Sequence, residues 1–259
     1  MFVNIRHINV EVTKRCNQHC VYCFNNSGVG SRSSELKPEM WLRILHELRV
    51  HGLESMHLTG GEPFAYPYSM ELLGGAQDSG LHTSILSNGF RIEELASAQP
   101  RIFSNLVVAQ ISLDSMNPET LCLRRGHPRA WHDAMSAIDA LRNLHVPLEI
   151  SCVVSEANVA DVLEVADFCQ RMDAALLIRP MLSVGRATAH VMPASFDHTL
   201  KQILGLLGDC NLVSDRFRYV TDEQSIPPDQ WREDIQTVHY DGRLRLGSTH
   251  QFNLQSILA

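Results

Sequence analysis

Six short apolar runs, each followed by a stretch of helical spacing, limit what this chain of 259 residues can fold into. Strands are expected at residues 7–12, 55–59, 82–87, 106–113, 147–154 and 175–179. Helices are expected over 38–50, 68–78, 91–97, 130–144, 158–171 and 195–207. Pro38 opens the first helix, and Trp41, Leu42, Leu45 and Leu48 recur at helical spacing behind it. Repeated strand–helix alternation makes a parallel sheet covered by helices, and right-handed crossovers leave an open sheet or a barrel. The strands read as apolar on both faces, as buried parallel strands do. The regular alternation stops near residue 207. Residues 215–234 are polar and carry Pro227-Pro228, and residues 235–247 read as a hairpin turning at Asp241-Gly242. Two regions are therefore expected: an α/β core over residues 1–207 and a short cap over 208–259.

The chain carries 22 Lys and Arg against 29 Asp and Glu, a formal charge of −7, which gives no support for a nucleic-acid surface. No apolar run is long enough to span a bilayer, and the start of the chain lacks the pattern of a secretion signal, so a cytoplasmic protein is expected. Seven cysteines without such a signal argue against a disulfide scaffold. Three of them, Cys16, Cys20 and Cys23, lie within eight residues, while Cys122, Cys152, Cys169 and Cys210 are scattered.

The cysteine group follows the first strand directly, and loops at the C-terminal ends of parallel strands are where α/β folds do chemistry. Three thiolates at this spacing can hold three corners of a four-iron cubane and leave one iron without a protein thiolate. Zinc bound by the same thiolates with His7 or His19 is the rival reading, although zinc sites usually show two separated ligand pairs.

The CxxxCxxC spacing, with the aromatic Tyr22 before the third cysteine, resembles the signature of the radical S-adenosylmethionine (radical SAM) superfamily. The resemblance implies a partial (β/α)6, TIM-like barrel, a [4Fe-4S] cluster on Cys16, Cys20 and Cys23, and S-adenosylmethionine bound at the open iron. Further motifs extend the likeness. Gly60-Gly61-Glu62-Pro63 after the second strand resembles the family's GGEP turn, which holds the methionine amino group, although the same residues also suit a plain turn. Asn88, in Ser87-Asn88-Gly89, and Ser112 and Asp114, in Ser112-Leu113-Asp114-Ser115, match family motifs near the cofactor, and simple strand-ending turns are the alternative. Arg125, in the stretch from Asn117 to Gly126, resembles a motif of the SPASM/twitch branch and is a candidate for a cofactor carboxylate, with a surface ion pair as the alternative. Arg179-Pro180 and Gly185-Arg186-Ala187 match the same branch.

Residues 238–247 look like the opening of a SPASM domain, but no cysteine follows Cys210, so auxiliary clusters have no local ligands there and the cap reads as vestigial. Some family members return a hydrogen atom from a lone cysteine, and Cys210 and Cys122 are the candidates for such a catalytic role.

These resemblances lead to the expectation of hydrogen-atom abstraction from a small metabolite of sugar, aminocyclitol or nucleoside type, ending in epimerisation, elimination or rearrangement. The barrel starts almost at Met1, which favours that reading over the alternative, tailoring of a ribosomally made peptide. A non-catalytic iron–sulfur protein is the third reading. A one-electron donor of flavodoxin or ferredoxin type is the expected protein partner.

Overall fold

The structure, a computed structural model, describes residues 5–31, 34–188 and 205, with the backbone of three strands nearer the C-terminus. Six strands follow one another through the core: β1 (His7–Glu11), β2 (Ser55–Thr59), β3 (His82–Ser87), β4 (Leu106–Ser112), β5 (Leu148–Val154) and β6 (Ala175–Pro180). Each pairs in parallel with its sequence neighbour. Three further strands, β7 (Gln236–Val238), β8 (Arg243–Leu246) and β9 (His250–Asn253), extend the sheet beyond β1. The order is β6-β5-β4-β3-β2-β1-β7-β8-β9, an open sheet that does not close on itself. β7 lies parallel to β1, and β8 and β9 return antiparallel, which includes the expected hairpin pairing. Of the expected helix over 195–207 only Gly205 is described, and it is helical; Cys210 and the Asp241-Gly242 turn lie outside the described residues.

Seven helices connect the core strands: α1 (Pro38–Val50), α2 (Ser69–Asp78), α3 (Ile92–Ala98), α4 (Pro100–Ser104), α5 (Pro118–Arg125), α6 (Ala130–Asn143) and α7 (Val162–Met172). α1 begins at Pro38, whose missing N–H costs nothing in a first turn, and buries Trp41, Ile44, Leu45 and Leu48. α5 was not expected as a helix, yet its signals are local. The Asn117 side chain accepts from the Thr120 N–H, Pro118 occupies the first turn, and Gly126 ends the helix in the left-handed region.

The expectation of strands apolar on both faces holds only in part. Ile8, Val10, Met56, Leu58, Ile85, Ala109, Ile111, Ile150, Cys152, Leu176 and Ile178 join the helices in one buried core. Each Val, Leu, Ile or Met among them contributes about 1.5–3 kcal/mol by leaving water. Most of the intervening positions, which face the other way, are polar: Asn9 and Glu11, His57, Ser84, Gln110 and Ser112, Glu149 and Ser151, and Arg179, with Leu86, Val108, Val153 and Leu177 as apolar exceptions. Their side chains bridge neighbouring strands, as His57 Nδ1 does with Ser84 Oγ at 2.7 Å and His7 Nδ1 with Ser55 Oγ at 2.7 Å. The physical reason is that helices cover only the outer face of the curled sheet. The strands therefore alternate as those of a sheet with helices packed on one side do.

Candidate functional site

The three clustered cysteines sit on the loop that follows β1, at the end of the sheet where strands terminate. Cys16 is buried, and Cys20 and Cys23 are half-buried. Three separate parts of the fold grip this loop.

The first grip is the turn after β2. Gly61 N–H donates to the Thr13 carbonyl at 2.7 Å and Glu62 N–H to the Arg15 carbonyl at 2.9 Å. A side chain at Gly61 would collide with the carbonyls of Lys14 and Arg15, so the glycine is required by the cysteine loop lying against it. The second grip is the end of α5, where the carbonyls of Arg125 and Arg124 accept from His19 N–H at 2.9 Å and Val21 N–H at 3.0 Å. The third follows β6. Arg186 donates from Nη1 to the Cys20 carbonyl at 2.6 Å, from Nη2 to the Ser27 carbonyl, and from its backbone N–H to the Cys23 carbonyl at 2.9 Å. Gly185, at φ +60°, brings this segment against the carbonyls of Cys23 and Phe24, where a side chain would not fit. Glu35, which sequence reading did not single out, takes hydrogen bonds from both Thr13 and Arg15 and braces the start of the loop.

Glu62 is fully enclosed. Its carboxylate accepts from Ser87 Oγ at 2.8 Å, the Asn88 N–H at 2.8 Å and the Phe64 N–H at 3.2 Å, and so locks the β2 turn to the end of β3. Burial pushes its pKa up to about 7 and outweighs those three donors, each of which favours the anion. Pro63 begins the short turn that follows. The Asn88 side chain reaches the loop itself, donating from Nδ2 to Asn17 Oδ1 at 2.9 Å and to Cys16 Sγ at 3.6 Å.

Asp114 is completely buried after β4. It accepts from the Tyr22 hydroxyl, from Arg125 Nη2 at 2.9 Å and from the Val153 N–H at 2.9 Å. The Arg124 and Arg125 guanidinium groups lie over the Tyr22 ring at 5.0 Å and 5.5 Å. Tyr22, Asp114 and Arg125 thus form one interior network beneath the cysteine loop. Ser112 stands half-buried on the inner face at the end of β4. Cys122, on α5, directs its thiol to the Pro128 carbonyl at 3.2 Å.

The loop has the chemistry an iron–sulfur cluster needs. Backbone N–H groups of Gln18 and Ser27 donate to Cys16 Sγ at 3.4 Å and to Cys23 Sγ at 3.3 Å, the kind of hydrogen bond that stabilises thiolate sulfur. Asn17 Nδ2 and Ser27 Oγ, in the same loop, are buried without a protein partner, which is costly unless another acceptor is at hand. Burial pushes the Cys16 thiol up to about 12 and raises Cys20 too, so metal binding has to release their protons. Among the described residues no three His, Cys, Asp or Glu side chains converge on a single ion. A cubane asks something different, because each thiolate takes its own iron. Beside Cys16, a cavity of about 390 Å³ opens between the cysteine loop and the turns after β2 and β3, lined also by Asn17, Phe64 and Phe90.

Known proteins agree with this geometry. The chain matches the Radical SAM superfamily over residues 10–169. It is 30% identical over 184 residues to the sporulation killing factor maturation protein SkfB of Bacillus subtilis, covering 69% of this chain and 43% of that one. It is 27% identical over 166 residues to the PqqA peptide cyclase of Methylorubrum populi, covering 63% of this chain and 42% of the relative. The chain thus spans less than half the length of these curated relatives. Among solved structures, Streptococcus suis SuiB bound to its precursor peptide SuiA superposes with a TM-score of 0.74 at 13% identity, over 97% of this chain and 63% of SuiB. With the same protein bound to S-adenosylmethionine the TM-score is 0.76 at 14% identity, over 98% of this chain and 64% of SuiB. The open sheet is therefore the partial barrel of these neighbours, and this chain belongs to the radical SAM superfamily, whose enzymes use a [4Fe-4S] cluster and S-adenosylmethionine.

Proposed function

We propose that this enzyme modifies a peptide by radical chemistry. The proposal corrects the expectation of a small sugar, aminocyclitol or nucleoside substrate. What overturns that expectation is the set of relatives: one is named as a peptide cyclase, one as a maturation protein, and SuiB was solved with its precursor peptide.

The observation that carries the reading is the grip on the cysteine loop from three directions. Cys16, Cys20 and Cys23 hold the cluster in this reading, each through its sulfur. When bound, the cluster and S-adenosylmethionine together supply a 5′-deoxyadenosyl radical that takes a hydrogen atom from the substrate. The chain's own residues do the positioning. The β2 turn, with Glu62 fastened to Ser87 and Asn88, is the part of the chain that would hold the methionine amino group. Ser112 offers a hydroxyl from the inner face. Tyr22, Asp114 and Arg125 keep the floor of the loop rigid, and Asn88 keeps Cys16 oriented. The inner face of the sheet receives the peptide and keeps bulk water from the reacting atoms. A flavodoxin- or ferredoxin-type protein delivers the electron.

The test is anaerobic reconstitution with iron and sulfide, then dithionite and S-adenosylmethionine, with 5′-deoxyadenosine measured by mass spectrometry. The expected result is 5′-deoxyadenosine from the wild type and none from Cys16→Ala. Co-expression with short open reading frames beside the gene should then give a peptide of altered mass. A loaded wild-type cluster that yields no 5′-deoxyadenosine would refute radical chemistry, and an active enzyme that alters no neighbouring peptide would refute the peptide assignment.

A further inference from the structure

Three buried donors lie unused around the cysteine loop, one beside each cysteine. Beside Cys16 it is the amide nitrogen of Asn17. The Phe90 N–H donates to Asn88 Oδ1 at 3.1 Å, which leaves the Asn88 nitrogen to donate to Asn17 Oδ1 at 2.9 Å. A backbone N–H can only donate, so this chain fixes which way both amides point. Cys16 Sγ lies 3.9 Å from Asn17 Oδ1, and the nitrogen of the same planar amide is buried without a partner. Beside Cys23 it is the hydroxyl of Ser27, buried and likewise unpartnered. The Ser27 N–H already donates to Cys23 Sγ at 3.3 Å, and Arg186 holds the Ser27 carbonyl. Beside Cys20 it is Nε of Arg125. This guanidinium commits Nη2 to Asp114 and leaves Nε buried without a partner. It lies 5.5 Å from the centre of the Tyr22 ring, in the small apolar group against which Cys20 packs. Burial raises the Cys20 thiol, and Arg125 opposes that rise by its charge and by hydrogen bonding.

These atoms are shut off from solvent, so only a neighbouring acceptor can satisfy them. A thiol sulfur is a weak acceptor. Thiolate and sulfide sulfur carry negative charge and take stronger hydrogen bonds. The three donors are thus placed for the sulfur-rich anion that iron-bound cysteines would bring. One-electron reduction adds a further negative charge to that anion, so donors held against it favour the reduced form.

We propose that Asn17, Ser27 and Arg125 form a shell of hydrogen-bond donors to the sulfur atoms of the cluster, one beside each cysteine, and that this shell makes the cluster easier to reduce. This rests on the assignment of the cluster to Cys16, Cys20 and Cys23 above. S-adenosylmethionine also offers acceptors, so the experiment separates the two.

The test uses the full chain reconstituted with iron and sulfide. The midpoint potential is read by EPR during anaerobic titration with dithionite, without S-adenosylmethionine. A midpoint does not depend on how much of the protein has loaded, so variants with partial iron content are still read. Ser27→Ala should lower the reduction equilibrium constant about tenfold, a fall of about 59 mV for one electron. Ser27→Thr, which keeps the hydroxyl, should recover most of that loss. Asn17→Leu should fall by a similar amount. Asn17→Asp, which keeps the oxygen that serves Asn88 but offers no donor, should fall at least as far. Arg125→Lys keeps a cation for Asp114 and loses Nε, and should move in the same direction. In a second arm, the dissociation constant of S-adenosylmethionine from the oxidised protein is measured for the same variants. Unchanged midpoints with weakened cofactor binding would assign the donors to S-adenosylmethionine and overturn the shell. Unchanged midpoints with unchanged binding overturn it as well. A wild type that loads no iron overturns the cluster assignment itself, whereas a loaded wild type with indifferent variants overturns only the shell.

Discussion

Two buried carboxylates do different work in this site. Asp114 is balanced: it faces Arg125 at 2.9 Å, and both side chains are almost wholly shut off from water. Removing one member of such a pair strands the other charge. Asp114→Asn is therefore expected to lower stability by about 3–5 kcal/mol, measured by denaturant unfolding of the cluster-free protein. An unchanged midpoint would mean that Arg125 finds another partner. Glu62, by contrast, is held chiefly by hydrogen bonds, and burial lifts its pKa from the ordinary 4.5 to about 7. A carboxyl group with a raised folded-state pKa binds its proton more tightly in the native state than in the unfolded chain. Stability from this residue is thus greatest in acid and falls as pH rises from about 4.5 through about 7. Unfolding of the cluster-free protein followed from pH 4.5 to 8 should show this loss, and Glu62→Gln should remove that part of the slope. A Glu62→Gln profile parallel to the wild type would contradict the assignment.

At the scale of elements, the cysteine loop owes its shape to parts of the chain far from it in sequence. Gly61, the end of α5 and Arg186 all meet it, and Arg186 lies more than 160 residues beyond Cys20. Gly61→Ala forces the new methyl group onto the carbonyls of Lys14 and Arg15, and Arg186→Ala deletes two side-chain hydrogen bonds to the loop. Both variants should reconstitute with clearly less than the four irons per chain of a full cluster, while circular dichroism remains that of the wild type. Full iron content in both would show that the cysteines need no external grip. The grip also explains what could and could not be read from the sequence. The strands were legible to within a residue or so, because apolar runs bounded by turns report local structure. The short helix α5 was missed although Asn117, Pro118 and Gly126 mark both of its ends. The motif residues were legible as a set, but not their partners. Nothing local in the sequence tells that Arg186 meets Cys20, or that Asp114 is committed to Tyr22 and Arg125. The inner face was misread because polar residues such as Asn9, Ser84 and Gln110 were averaged into apolar runs. Position-by-position alternation would have separated the two faces.

The whole molecule depends on a pairing that no local pattern announces. In the C-terminal part of the chain β7 lies in parallel against β1, with Ile8, Asn9 and Val10 opposite Gln236, Thr237 and Val238. The physical consequence concerns the strand that leads into the cysteine loop. With β7 in place, β1 is an interior strand, hydrogen-bonded on both sides. Without it, β1 becomes an edge with a row of unpaired N–H and C=O groups, the arrangement that frays and invites pairing between chains. Fraying there would reach the cysteines, because Val12 still pairs with Thr59 and the loop starts immediately after it. A chain ending at residue 230 is therefore expected to keep the helix-covered core, since that core is built from β1–β6 and their helices. It should nonetheless exchange the β1 amides faster in hydrogen-exchange measurements, self-associate in size-exclusion chromatography, and retain less iron after reconstitution. If β1 protection and iron content match those of the full chain, β7 is an ornament on the sheet. If both fall together while the amides of β4 and β5 stay protected, the C-terminal strands act as the outer support of the radical site.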